Sequence, residues 1–169
     1  MTVEPPETLT DPRVLLTGYL DYYRDALLRK LDGMPDDALR TSRLPSGWTP
    51  LGLLKHLAYV ERRWLRWGFA AEQLDVVRAD RPDGAEGFQA AESDTLADLK
   101  AFFLAETART REVIAAADLQ DTARSGGAFD EDEEHPTLIW ILFHLLQEYA
   151  RHVGQLDIVR ELADGSTGE

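Results

Sequence analysis

PTLIWILFHLLQEYARHVGQLDIVRELADG, residues 136–165, reads as one long amphipathic helix. Its inward seam runs Leu138, Ile141, Leu145, Glu148, His152, Leu156 and Val159, at the steps of three and four that an α-helix requires. Pro136-Thr137 supplies the start and Asp164-Gly165 the stop. An acid and an imidazole, one turn apart, therefore interrupt an otherwise apolar stripe.

Working outward, three more segments carry the same period. Leu16, Tyr19, Leu20, Tyr23, Leu27 and Leu31 form one stripe, with Asp11-Pro12 as cap and first turn and Asp32-Gly33 as stop. Thr49-Pro50 opens a second helix whose seam is Leu53, Leu57, Val60, Trp64 and Trp67, reaching the region of Phe69. A third starts at Ser93-Asp94, and its stripe is Leu96, Leu99, Phe103, Thr107, Val113 and Ile114. The expectation is an all-α four-helix bundle, with residues 1–11 a loose arm and 12–165 a single domain. Residues 118–135, with the acidic run Asp130 to Glu134, read as an exposed loop. The polar stretch from about Gln73 to Ala91 is long for a connection within a compact domain and suggests a crossover instead of up-down-up-down order.

Composition narrows the chemistry. Asp+Glu number 31 against 18 Lys+Arg, giving −13, a field that repels phosphate backbones and anionic lipid surfaces. Neither nucleic acid nor membrane is expected as a partner. The chain has no cysteine, so disulfides, thiolate zinc sites and a cysteine nucleophile are excluded. The amino terminus lacks the basic and apolar regions of a signal peptide, and a soluble cytoplasmic protein is expected.

Four histidines remain: His56, His135, His144 and His152. Residues i and i+4 share a helix face, so Glu148 and His152 can converge on one ion. An ionised carboxylate inside a bundle needs a cation, a hydrogen-bonded partner or a raised pKa. His56, beside the seam of the second helix, would be the third ligand. Two imidazoles and a carboxylate suit a divalent transition metal, with zinc, iron, nickel and manganese all reasonable. His144, Glu148 and His152 follow one another at i, i+4 and i+8, so the outer two are about 12 Å apart and one must be spare. Spacing alone makes His144/Glu148 and Glu148/His152 equivalent pairs; seam position favours the second. A carboxylate–imidazolium pair without metal would also satisfy both groups. Gln155 and Asp157 are candidates for orienting a ligand, and Arg62, Arg63 and Arg66 for binding a substrate carboxylate or pairing with acids such as Glu61.

The segments WTPLGLLKHLAYVERRW (48–64) and FHLLQEYARHVGQLDIVRELADG (143–165) resemble the DinB-like superfamily of small bacterial metal-binding proteins, in particular its actinobacterial mini-circle protein branch. The resemblance implies a four-helix bundle with a crossover connection, often a homodimer, and one metal bound by three ligands. The histidine of the second helix matches His56. The last-helix pair takes the Glu-x-x-x-His form seen in mycothiol-dependent maleylpyruvate isomerase, which falls on Glu148 and His152. His144 would then border the cavity as a proton-transfer group. Relatives also include thiol-S-transferases that use mycothiol or bacillithiol. The implied function is metal-dependent conjugation of a mycothiol-like small-molecule thiol to an electrophilic substrate, with zinc first among the candidate metals. The rival readings are a stress-related module that binds metal or ligand without turnover, and a metal-dependent hydrolase or isomerase.

Overall fold

The computed structural model describes residues 3–77, 88 and 90–167, and the described residues form helices with one isolated bridge, Thr122 to Thr137. The order is α1 (Pro12–Leu31), a short α2 (Asp36–Arg40), α3 (Pro50–Glu61) running on as a π-helical segment (Arg62–Phe69), α4 (Leu96–Ala115) and α5 (Leu138–Asp164). No helix among the described residues is long and apolar enough to cross a membrane.

Local chemistry sets most of these boundaries. Asp11 accepts from the Val14 amide and Thr49 from the Gly52 amide, each ahead of a proline whose missing N–H costs nothing at the first turn. Gly165 closes α5 with φ 76°, a left-handed conformation that favours glycine. Helix α4 begins later than Ser93-Asp94. Thr95 is its cap, accepting from Asp98 N, while Asp94 instead accepts from the Ala91 amide and pairs with Lys55. The short α2, after Pro35, is too brief to carry a period and has none in the sequence.

Side-chain bonds fix the directions of the long helices. Arg13, at the start of α1, donates to the Ile114 and Ala117 carbonyls at the end of α4, and Lys100 near the start of α4 pairs with Asp32 just past α1. These two helices are antiparallel. Arg160, late in α5, donates to the Lys30 and Asp32 carbonyls, so α5 runs parallel to α1. Lys55 to Asp94 and Arg62 to Glu106 step the same way along α3 and α4, which are parallel neighbours. A parallel pair requires a crossover connection between the end of the π-helical segment and the start of α4. The result is the expected four-helix bundle with one crossover.

The core differs from the sequence reading in one register. After Val60 the buried residues are Glu61, Leu65, Gly68 and Phe69, while Trp64 and Trp67 are only partly buried. The cause is the wider turn: Ala70 N reaches back to Leu65 O, an i→i−5 bond. One extra residue per turn rotates the seam away from the tryptophans, and such turns recur at functional sites. At this junction the Glu61 carboxylate is fully buried and accepts from Arg24 Nε (2.8 Å), Arg24 Nη2 (2.6 Å) and the Tyr149 hydroxyl (2.7 Å). The charge on Arg24 is strongly favoured by Glu61 despite complete burial, while burial first, and then Glu61, pushes the Tyr149 phenol well up and keeps it a donor. This network ties α1, α3 and α5 together one residue from Glu148.

The 118–135 segment is less exposed than expected. Leu119 and Ala123 are buried, and Arg124 N donates to Phe69 O. Gly127 passes so close to the π-helical segment that a Cβ there would lie 1.9 Å from Trp67 O, a contact only glycine allows. Five consecutive acids disguise a segment that docks on the bundle through Leu119, Ala123 and Phe129.

Candidate metal centre

His56 projects from the middle of α3, and Glu148 and His152 from facing turns of α5, which runs antiparallel to it. One ligand atom from each lies within 4.8 Å of the others. His152 Nε2 is 3.1 Å from Glu148 Oε2, and His56 Nε2 is 3.7 Å from the same oxygen. His56 and His152 are buried, and the Glu148 side chain is 16% exposed.

The hydrogen-bond ledger tests whether an ion fits. Gln155 Oε1, which can only accept, lies 2.9 Å from His152 Nδ1 and so holds the proton on that nitrogen. The Nε2 lone pair is then aimed at the Glu148 carboxylate, two acceptors face to face. A proton between them would relieve that pair alone. His56 Nε2, buried and without a hydrogen-bond partner, would still be orphaned. A divalent cation relieves all three at once, and donors about 2.1 Å from a tetrahedral ion stand about 3.4 Å apart, between the two separations observed. The residues therefore fit the metal their donor chemistry implies. With a proton in place between His152 and Glu148, the hydrogen bond from His152, and after it His56, holds the Glu148 carboxyl far below the usual carboxylate range, so the carboxylate is ionised when a metal displaces the proton.

Around the ligands, Gln155 sits where a ligand-orienting residue belongs. Asp157 does not: it pairs with Lys30 across the α1–α5 seam. Replacing Gln155 with leucine is expected to weaken metal affinity about 10- to 100-fold with little change in fold, measured by competition with a chromophoric chelator. An unchanged affinity would mean that Gln155 does not set the tautomer.

Phe88 was not anticipated. Its ring stacks on His56 with centroids 4.1 Å apart and lies 5.3 Å from His152, covering the ligand set from the crossover connection. The only signal in the sequence is a lone aromatic in the polar stretch RADRPDGAEGFQ (78–89); the rest of that stretch lies outside the described residues. The arginines are committed elsewhere than Glu61. Arg62 and Arg66 both donate to the buried Glu106, and Arg66 also to Glu72.

His144 lies on the other side of Glu148, its Nε2 3.6 Å from Oε1, and is outside the three-residue cluster. It is 24% exposed and stacks on Trp140 (5.4 Å, 6°) and against Trp64 (4.4 Å). Burial lowers its pKa, partly offset by the Glu148 carboxylate, so the ring is neutral at neutral pH.

Comparison with known proteins bears on the fold and the family. A crystal structure titled as the conserved protein of locus from Enterococcus faecalis superposes with a TM-score of 0.64, covering 94% of this chain and 100% of that one at 20% identity. That likeness shows the fold. No curated protein matches the chain. The model of the mycothiol-S-transferase family matches residues 15–165, which takes in all three converging side chains and His144. That match spans most of the chain, and the chain belongs to the mycothiol-S-transferase family.

Proposed function

We propose that the protein transfers a mycothiol-like small-molecule thiol to an electrophilic carbon, at a divalent transition metal held by His56, Glu148 and His152. The observation that carries the reading is the convergence of three lone-pair donors, one of them the buried, unpartnered Nε2 of His56. The family match supports the thiol. Bound there, the ion would supply Lewis acidity that favours the deprotonated form of a thiol at neutral pH.

The chain's own residues do the rest. Glu148 divides its oxygens: Oε2 faces His56 and His152, and Oε1 faces His144. Neutral His144 takes the thiol proton as the sulfur attacks, and the nearby Glu148 carboxylate stabilises the imidazolium that results. A carbon–sulfur bond forms, the leaving group departs with its bonding pair, and His144 gives the proton to a basic leaving group or, where a halide departs, to water. Thiol and electrophile are converted to thioether, leaving group and one proton, so atoms and charge balance. Phe88, packed over the imidazoles, keeps bulk water from one side of the ligand set.

The test is turnover of mycothiol with a model electrophile by metal-loaded and chelator-treated protein. Conjugation by the loaded form alone, reduced about 100-fold or more in His144→Ala as expected for loss of a general base, supports the reading. Equal rates with and without metal would overturn it.

A further inference from the structure

We propose that the cleft between the π-helical segment and the start of α5 binds a neutral aromatic electrophile, which makes it the subsite for the second substrate. The proposal rests on the thiol-transfer reading, because it needs attack to occur beside Glu148 and His144. The cleft has a volume of about 320 Å³, with walls that include Trp64, Trp140, Phe129 and Pro136. That is within the usual range for a small-molecule site.

Three features set the class of ligand. First, the walls are π-faces. Trp64 and Trp140 have centroids 5.7 Å apart, and Trp140 is 51% exposed, so a large indole is left half in water where core packing would have buried it. Second, the histidine on the rim adds no free donor. His135 on its rim has Nδ1 2.6 Å from Ala123 O and Nε2 2.9 Å from Asp130 O, so both nitrogens are occupied and only ring surface is offered. Third, Glu134 stands at the mouth at the end of an acidic run, which disfavours an anion, although the Arg63 guanidinium lies 5.5 Å from the Trp64 ring.

Position links the cleft to the metal centre. His144 packs on both tryptophans and faces Glu148 Oε1, so a ring packed against the exposed indole of Trp140 can direct its reactive carbon along α5 to the point of attack. The close passage of Gly127 over Trp67 O brings the 118–135 segment to the π-helical segment, and Phe129 with it to the cleft that Trp64 lines.

Calorimetric titration of the full chain as purified, with dinitrobenzene and no thiol, tests binding apart from chemistry. The chain has no cysteine, so such probes cannot alkylate a protein thiol. Dinitrobenzene is expected to bind, dinitrobenzoate more weakly, and Trp140→Ala or Phe129→Ala to weaken dinitrobenzene about tenfold, in keeping with loss of one stacking partner. Trp140 is half exposed, so its truncation leaves the fold intact. In turnover, Trp140→Ala should lower kcat/KM for chlorodinitrobenzene about tenfold relative to iodoacetamide. Absence of dinitrobenzene binding, or binding indifferent to both substitutions, overturns the cleft assignment even if thiol transfer is observed. Binding that depends on Trp140 in a protein with no thiol transfer upholds the cleft and removes the transfer reading instead.

Discussion

Arg24→Ala is expected to destabilise the protein by about 3–5 kcal/mol, because it strips the charge partner from a carboxylate with no access to water. At about 2–4 °C per kcal/mol for a chain of this size, the melting temperature should fall by about 6–20 °C in calorimetry. The Tyr149 hydroxyl would be the hydrogen-bond donor left to Glu61. A combined replacement, Arg24→Met and Glu61→Met with Tyr149→Phe, should recover much of the loss, since apolar substitutes for buried ion pairs are often neutral or better. A loss below about 1 kcal/mol in the single variant, the range of an exposed pair, would mean that water reaches the network.

Chelation is expected to act on the same scale by a different route. A ligand bound only by the folded state at about 1,000 times its Kd stabilises by about 4.1 kcal/mol, so removing the metal should lower the melting temperature by about 8–16 °C. His152→Ala should abolish that dependence while melting near the temperature of the chelated wild type. Stability indifferent to chelator, in a protein shown to contain metal, would place the ion outside the core of the bundle.

Much of this architecture was legible in the chain, for reasons that are local. Asp11-Pro12, Thr49-Pro50 and Gly165 mark helix ends because capping chemistry involves residues within one turn. Glu148 and His152 stood out because i, i+4 spacing is itself a geometric statement. His56 came from its place on the α3 seam and from the family resemblance, and the structure brings its Nε2 to the pair. What was not legible depends on contacts distant in sequence or on broken periodicity. Glu61 finds Arg24 across 37 positions and Tyr149 across 88, so neither partner leaves a local trace. The π-helical turn defeats any reading at a period of 3.6, which is why Trp64 and Trp67 looked inward when Leu65 and Phe69 are the buried residues. Asp157 shows the converse limit. It lies five positions after His152, yet it pairs with Lys30 on α1, while Gln155 at i+3 supports the imidazole.

The cleft beside His144 depends on the same register change. Had the helix continued at 3.6 residues per turn, Trp64 would have pointed into the core. Rotated outward, it forms one wall of a cavity whose other wall is Trp140 on α5. The structural irregularity and the candidate binding surface are thus one feature.

An anomalous-difference map collected above the absorption edge of the metal found in purified protein is the most direct test of the centre. The account predicts a single strong peak about 2.1 Å from His56 Nε2, Glu148 Oε2 and His152 Nε2. A metal-containing crystal with no peak among those three atoms, or with its peak elsewhere, would contradict it.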